Sequence, residues 1–162
     1  MGKKTKGRQQ NIFKNSVPDF SIPKAKTSTI FYPTFDANYP IWTFRNVDRE
    51  GKFAFNPLRK DFKSDEFVEK MLSYSNMKWQ EILQQTHDDG KTKHHFLNDI
   101  DRLSKDARER IKAKKFEDKT DKIFSFAFNN ITRVIGLRDG AEFQVIWYDA
   151  NHEFAPSEKK HT

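Results

Sequence analysis

His87, His94, His95, His152, Arg133 and Tyr148 are the side chains of this sequence best equipped for acid–base or phosphoryl chemistry. Imidazole titrates closest to neutral pH and serves as acid or base. Arginine stabilises charge that develops on a phosphorane, and tyrosine stacks on a base or shares a proton. Attack by a 2′-hydroxyl on its own phosphodiester needs a base, a cation and an acid for the leaving oxygen, and no metal. The chain holds side chains for all three roles, although each histidine taken singly is better explained as a polar surface residue. A histidine–carboxylate metal site built from His87, Asp88, Asp89, His94 and His95 would suit zinc or manganese. No HExxH or other ordered ligand spacing supports it, so the reading preferred is free of metal and cofactor. Glycine-rich phosphate loops and a GxSxG elbow are also missing from the sequence.

The element that must position Arg133 and Tyr148 is a β-hairpin. Ile123–Phe128, Ile131–Arg138 and Ala141–Tyr148 are three strand-like runs, and Asp139-Gly140 between the last two is a strong two-residue turn signal. With Asp139 and Gly140 in the loop, Arg138 pairs with Ala141, Gly136 with Phe143, Val134 with Val145 and Thr132 with Trp147. That face is apolar and is expected to pack on helices, with the Phe143 ring lying across Gly136. The opposite face then gathers Arg133, Gln144 and Tyr148 on a half-apolar surface, the leading candidate for a substrate site. The bland alternative is an arginine whose stem covers Ile131 and Ile146 while its head pairs with an acid such as Glu142.

Upstream, three helices are expected. Ser64 is read as an N-cap, with Asp65 and Glu66 in the first turn and Phe67, Val68, Met71 and Leu72 as the apolar face. Asn76 is read as the cap of a short second helix that buries Trp79, Ile82 and Leu83. Ser104 starts a charged third helix running to about Lys115, with Ala107, Ile111 and Leu103 inward. The aromatic-rich residues 31–60 read as a hairpin of Ile41–Arg45 and Lys52–Phe55 around Asp48-Arg49-Glu50-Gly51, either a second sheet element or an edge added to the main sheet. The whole is an α+β domain over residues 31–156, comprising a 31–60 hairpin extension and a 64–156 body of helices followed by an antiparallel sheet. A basic arm (1–30) precedes it, read as mostly flexible, and a tail (157–162) follows it.

The net charge of +7 belongs mainly to the arm, where Lys3, Lys4, Lys6, Arg8, Lys14, Lys24 and Lys26 face only Asp19. Such an arm can hold phosphates without reading sequence, or simply keep the chain in solution. Lys93, beside His94 and His95, is a further candidate for substrate contact, together with Gln144 and with Lys3, Lys4, Lys6 and Arg8 of the arm. Cysteine is absent, which excludes disulfides, thiolate metal sites and a cysteine nucleophile. No apolar run approaches a membrane span, and Met1-Gly2-Lys3-Lys4-Thr5-Lys6 leads into no apolar stretch. A cytoplasmic protein without membrane contact is expected.

Trp79-Gln80-Glu81-Ile82, His94-His95, Phe124-Ser125-Phe126, Arg133–Gly140 and Phe143–His152 together resemble a set of small bacterial proteins that are in turn similar to the RelE/ParE toxin superfamily. Arg133 matches the R-[VI]-[IV] pattern of that superfamily's central strand. The resemblance covers roughly residues 76–153. It implies a helical hairpin before an antiparallel sheet and a metal-independent endoribonuclease acting on mRNA or ribosome-bound RNA, the toxin of a toxin–antitoxin pair. Arg133 would then stabilise the transition state, with Tyr148 and a histidine (His94, His95 or His152) assisting, and the partners would be RNA or the ribosome and a cognate antitoxin. The sequence departs from the pattern in its nearly neutral body and in its ending, Ser157-Glu158-Lys159-Lys160-His161-Thr162. Two other readings stand beside this one: a non-catalytic nucleic-acid- or protein-binding module from a phage or mobile element, and a gyrase-inhibiting toxin.

Overall fold

The computed structural model describes residues 35–157. Lys3, Lys4, Lys6 and Arg8, with the rest of the basic arm, lie outside the described residues. So do residues 158–162 of the tail.

The strongest strand signals form the centre of the sheet: β3 (Ile123–Ala127), β4 (Arg133–Asp139) and β5 (Glu142–Asp149), each antiparallel to the next. Nearly every residue of these strands is buried, which requires cover on both faces. β1 (Ile41–Thr43) runs parallel to β5 at one edge, and the two-residue β2 (His95–Phe96) pairs with β3 at the other, giving the order β1-β5-β4-β3-β2. The molecule is therefore α+β, with a mostly antiparallel five-stranded sheet.

One face of the sheet carries Phe124, Phe126, Val134, Phe143, Val145 and Tyr148. It packs against Tyr74 of α1 (Ser64–Ser75) and against Trp79 and Ile82 of α2 (Trp79–Leu83). The other carries Ile123, Ile135, Leu137, Ile146 and Trp147, covered by Ala107 and Ile111 of α3 (Lys105–Ala113) and by Phe53 and Phe154. The second face, expected to be open, is thus largely occupied by α3.

The three helices form where expected, with shifted ends. Ser64 is the first helical residue and Lys63 the cap position, without a side-chain bond. Asn76 closes α1, its amide donating to the Leu72 carbonyl at 2.8 Å, and α2 begins instead after Lys78, whose N–H donates to the Glu81 carboxylate. Ser104 caps α3 as predicted, accepting from the Ala107 amide at 3.2 Å. The apolar face of α1 is half used: Phe67 and Met71 pack inward, whereas Val68 and Leu72 are exposed.

The hairpin register differs from the expected one. Asp139 pairs with Glu142, so Gly140 and Ala141 form the loop, with Gly140 at φ 60°. The pairing runs Arg138 with Phe143, Leu137 with Gln144 and Gly136 with Val145, then breaks, and resumes as Ile135 with Trp147, Val134 with Tyr148 and Arg133 with Asp149. β5 thus carries one extra residue at a bulge, and beyond a bulge every side chain changes face. Tyr148 consequently lies on the face opposite Arg133, and Gln144 sits near the far end of the hairpin. The Phe143 ring does cover Gly136: a Cβ there would stand 2.9 Å from the tip of the ring and 2.0 Å from the Gln144 carbonyl oxygen, so only glycine fits.

The predicted N-terminal hairpin does not form, because both of its halves dock on β5 instead of on each other. β1 pairs with Glu142–Gln144. Farther along, the Asp48 N–H donates to Ile146 O at 2.8 Å, and the Tyr148 N–H donates to Phe53 O at 3.0 Å. The turn between them is drawn inward by the Asp48 side chain. Its carboxylate accepts two bonds from Arg110 at 2.7 Å, one from the Trp147 indole at 2.8 Å and one from the Glu50 N–H at 3.1 Å. Burial pushes this carboxyl up, but these donors and the Arg110 charge outweigh it and hold it below the ordinary carboxylate value.

Asp48→Ala removes the common acceptor of Arg110 and Trp147 and leaves Arg110 facing only the exposed Glu50 carboxylate at 3.6 Å. It should cost about 3 kcal/mol of stability, read from the urea midpoint at pH 7. A loss below about 1 kcal/mol would show that the loop, α3 and β5 are joined by packing alone.

Candidate functional site

The end of the sheet where β3 turns into β4 is built from residues 128–132, and its shape follows from two side chains. Asn129 accepts from the Ile131 and Thr132 amides at 2.7 and 2.6 Å, a local turn typical of asparagine. Its amide nitrogen donates to Glu66 on α1 at 2.5 Å and to the Thr132 hydroxyl at 3.1 Å. Arg133 then grips the loop from below. Its guanidinium donates to the carbonyls of Asn129 at 2.7 Å, Thr132 at 3.1 Å and Asn130 at 3.3 Å. Asn130 and Ile131 project into solvent from this fixed base, Ile131 at 56% exposure.

A cleft lies on each side of the loop. The first, about 380 Å³, is lined by Lys70 and Tyr74 of α1, by Gln85 and Lys93, and by Asn129 and Asn130. The second, about 450 Å³, lies between Asn130, Ile131 and Thr132 on one side and Ala150 and Asn151 on the other, with Asp61 and Lys63 beside them. Lys93 belongs to a hairpin-like flap in which Thr86 bridges Thr92 and the Lys93 N–H donates to Gln85 O at 2.9 Å. Among the described residues, neither Lys70 nor Lys93 has an acidic partner. Glu66, the acid in the same cleft, is held by Asn129 and, at 3.8 Å, by Lys63.

Several residues predicted to act together are separated. Arg133 is only 4% exposed, and both of its terminal nitrogens donate to backbone carbonyls, so its charge acts through space, not by contact with a ligand. Burial lowers its pKa, while the nearby Asp149 and Tyr74 pull the other way. Tyr148 is buried on the opposite face with its ring 4.1 Å from that of Phe62, and its hydroxyl accepts from the Lys63 N–H at 3.2 Å. Burial raises its pKa. Gln144, level with Leu137 and Thr43, is remote from Arg133.

Of the candidate histidines, His94 is a core residue, His95 and His152 are peripheral, and His87 lies in the turn before Lys91, where its N–H donates to Lys91 O at 2.8 Å. His94 is buried against Phe126 and Tyr74, with ring centroids at 4.5 and 5.3 Å. Its Nδ1 accepts the Ala127 N–H at 3.0 Å, which fixes the proton on Nε2, 3.1 Å from Gln85 Oε1. It substitutes for a missing rung of the ladder at the end of β2. Burial, aided by the Arg133 charge, drives its pKa down to about 3, so it neither gives nor takes a proton at neutral pH. His95 stands on the exposed β2 edge. His152 follows β5 in the left-handed conformation at φ 57°, in a turn held by Asp149, which accepts from the amides of Asn151, Glu153 and Phe154. Desolvation and then the Arg133 charge lower both of these imidazoles, so His95, His152 and Arg133 lie within electrostatic reach of one another. No group of three or more His, Cys, Asp or Glu residues fit to hold a metal ion occurs among the described residues.

Sequence reasoning missed Lys70, Asn130 and Asn151. Asn129-Asn130 between two strand-like runs was a turn signal, but nothing in sequence order ties Lys70 to Lys93; only the packing of α1 over β3 does. Arg138 was assigned to an apolar face, and it lies there as a cation over the Trp79 ring, 4.2 Å from its centroid, paired with Asp36.

His94 yields a pH prediction. Its folded pKa lies below the unfolded value of 6.5, so the unfolded chain binds the extra proton, and the fold loses stability as pH falls from 6.5 towards about 3. The loss approaches about 1.4 kcal/mol per pH unit. Asparagine can offer an oxygen to the Ala127 amide without titrating, so His94→Asn should flatten this part of the pH–stability curve measured by urea unfolding. Parallel curves for both proteins over that range would rule out a neutral core histidine.

Set against known proteins, the chain matches no family model, no curated protein and no solved structure.

Proposed function

We propose that this domain binds single-stranded RNA at the loop-and-cleft end of its sheet and holds it without cutting it. The observation that carries the reading is the placement of cations. Lys70 and Lys93, without an acidic partner among the described residues, stand in one cleft beside the amides of Gln85 and Asn130, while Arg133 is buried with its terminal nitrogens on three backbone carbonyls. Unpaired lysines in a groove are what phosphates select, and displacement of counterions makes such binding strongly salt-dependent. A single strand suits the site better than a duplex, because its unpaired bases and its phosphates can part to the two sides of a two-residue ridge.

A second reading, metal-independent cleavage of the RelE/ParE kind, draws on a different observation: His95 and His152 both lie in the field of Arg133. The order of helices before an antiparallel hairpin also supports it. In that reading the neutral imidazoles would serve as base and, after protonation, as acid, and Arg133 would act by charge alone.

One experiment separates the two. Full-length protein is titrated into a labelled twelve-nucleotide single-stranded RNA in EDTA, followed by fluorescence anisotropy, and each sample is then run on a denaturing gel. Binding should weaken about tenfold in the Lys70→Ala/Lys93→Ala double variant, and the salt slope should fall by roughly 0.7 for each phosphate no longer neutralised, with intact RNA throughout. Unchanged affinity and slope in the double variant would sink the binding reading. Cleavage that persists in EDTA and disappears in both His95→Ala and His152→Gly would establish the second reading; glycine at 152 preserves the backbone conformation.

A further inference from the structure

We propose that the second cleft reads the edge of an unpaired adenine through Asn130 and Asn151, in the strand whose phosphates sit against Lys70 and Lys93. This rests on the RNA-binding reading above and names what the site would select.

The two clefts differ in charge. Asp61 is engaged by Arg59 through two bonds, at 2.8 and 2.5 Å, and Lys63 faces Glu66 at 3.8 Å. The second cleft therefore presents no unpaired charge and is a poor seat for phosphate. What it does present is amides and apolar surface. Asn130 and Asn151 are exposed, and neither side chain is hydrogen-bonded within the described residues, in contrast to Asn129, whose carbonyl oxygen and amide nitrogen are both engaged. Ile131 and Ala150 supply a wall for a ring, and about 450 Å³ is within the range of small-ligand pockets.

Both amides are carried on backbone held in place by other residues. The Asn130 carbonyl accepts from Arg133, and the Asn151 N–H donates to Asp149. Arg133 and Asp149 are themselves opposite each other in the ladder. One pair of buried charged residues thus fixes both arms of the cleft, and Arg133 is a positioning residue for them. A carboxamide offers a donor and an acceptor side by side, the pattern that matches the N6 amino group and N7 of adenine. Single-stranded RNA exposes these edges because its bases are splayed out. Asn130 lines both clefts, so adjacent nucleotides of one strand would straddle the ridge, phosphate on the lysine side and base on the amide side.

The test uses full-length protein and twelve-nucleotide uridine tracts carrying one central adenosine, cytidine or guanosine, followed by anisotropy. Wild type should prefer the adenosine tract about tenfold. Asn130→Ala/Asn151→Ala should bring all three within about twofold while leaving the salt slope unchanged, because neither side chain carries charge. Lys70→Ala/Lys93→Ala should do the reverse, weakening every tract and keeping the preference. If all tracts bind wild type equally, or if the asparagine variant keeps the preference, the adenine pocket is wrong and the RNA-binding reading stands. If no tract binds, both are wrong. Circular dichroism and urea midpoints of the asparagine variant should match wild type, since neither side chain supports the fold.

Discussion

The extra residue in β5 between Val145 and Trp147 decides which way Trp147, Tyr148 and Asp149 face, and with them the polar contacts at this end of the sheet. Before the bulge, Val145 and Phe143 look towards α1 and α2. After it, Trp147 looks towards α3, Tyr148 towards α1, and Asp149 shares a face with Arg133. Without that insertion the Trp147 indole would point away from the Asp48 carboxylate, which sits on the α3 side between Arg110 and the edge of β5. Asp48 in turn fixes the loop that completes the edge of β5 beyond β1. A two-residue β2, a three-residue β1 and an irregular loop would be weak covers for a buried sheet on their own. Here β2 is anchored by buried His94 and the loop by buried Asp48, as the β3–β4 turn is by Arg133.

The same constraint explains why charge is unevenly available. A buried charge is tolerated only with its partners in place; Asp48 and Asp149 have theirs within the chain, and Arg133 and Arg138 have theirs at the terminal nitrogens, while the Nε of each has no partner among the described residues. An ion pair between Arg133 and an incoming ligand would have to reach a buried side chain whose terminal nitrogens already hold three loop carbonyls. Lysines at the rim carry no such obligation. Lys70 and Lys93 keep their hydration until something displaces it, and in that sense the rim, not the core, is where this fold can meet a polyanion.

How far the residues could be read without coordinates depended on whether a feature was local. The three central strands, the Ser104 cap and the buried positions Ala107 and Ile111 come from periodicity and capping within a few residues. The register of the hairpin failed because Asp139-Gly140 is a strong turn signal that the chain uses one residue later, and because nothing local announces a bulge. A single inserted residue then moved Tyr148 away from Arg133 and dissolved the constellation that had looked most chemical. The N-terminal aromatics were legible as sheet-forming, but their partner was not. Ile41–Thr43 and Phe53–Phe55 each find better apolar and hydrogen-bonding surface on β5 than on one another, a choice made by residues about a hundred positions away.

His152 shows how backbone and chemistry interact at the end of the sheet. Asp149 gathers the amides of residues 151, 153 and 154, and this closes the turn so tightly that residue 152 adopts positive φ, where glycine or asparagine would be at ease. Histidine in that position holds its ring half-buried near Arg133, where desolvation and positive charge both favour the neutral imidazole. A neutral imidazole is a hydrogen-bond donor at one nitrogen and an acceptor at the other, a suitable neighbour for a base or a ribose hydroxyl and a poor one for a phosphate. The cleft beside Asn151 thus presents no unpaired charge among the described residues, while the face around Lys70 and Lys93 is cationic. One nucleotide presents both characters, an uncharged base and an anionic phosphate, on opposite sides of its sugar.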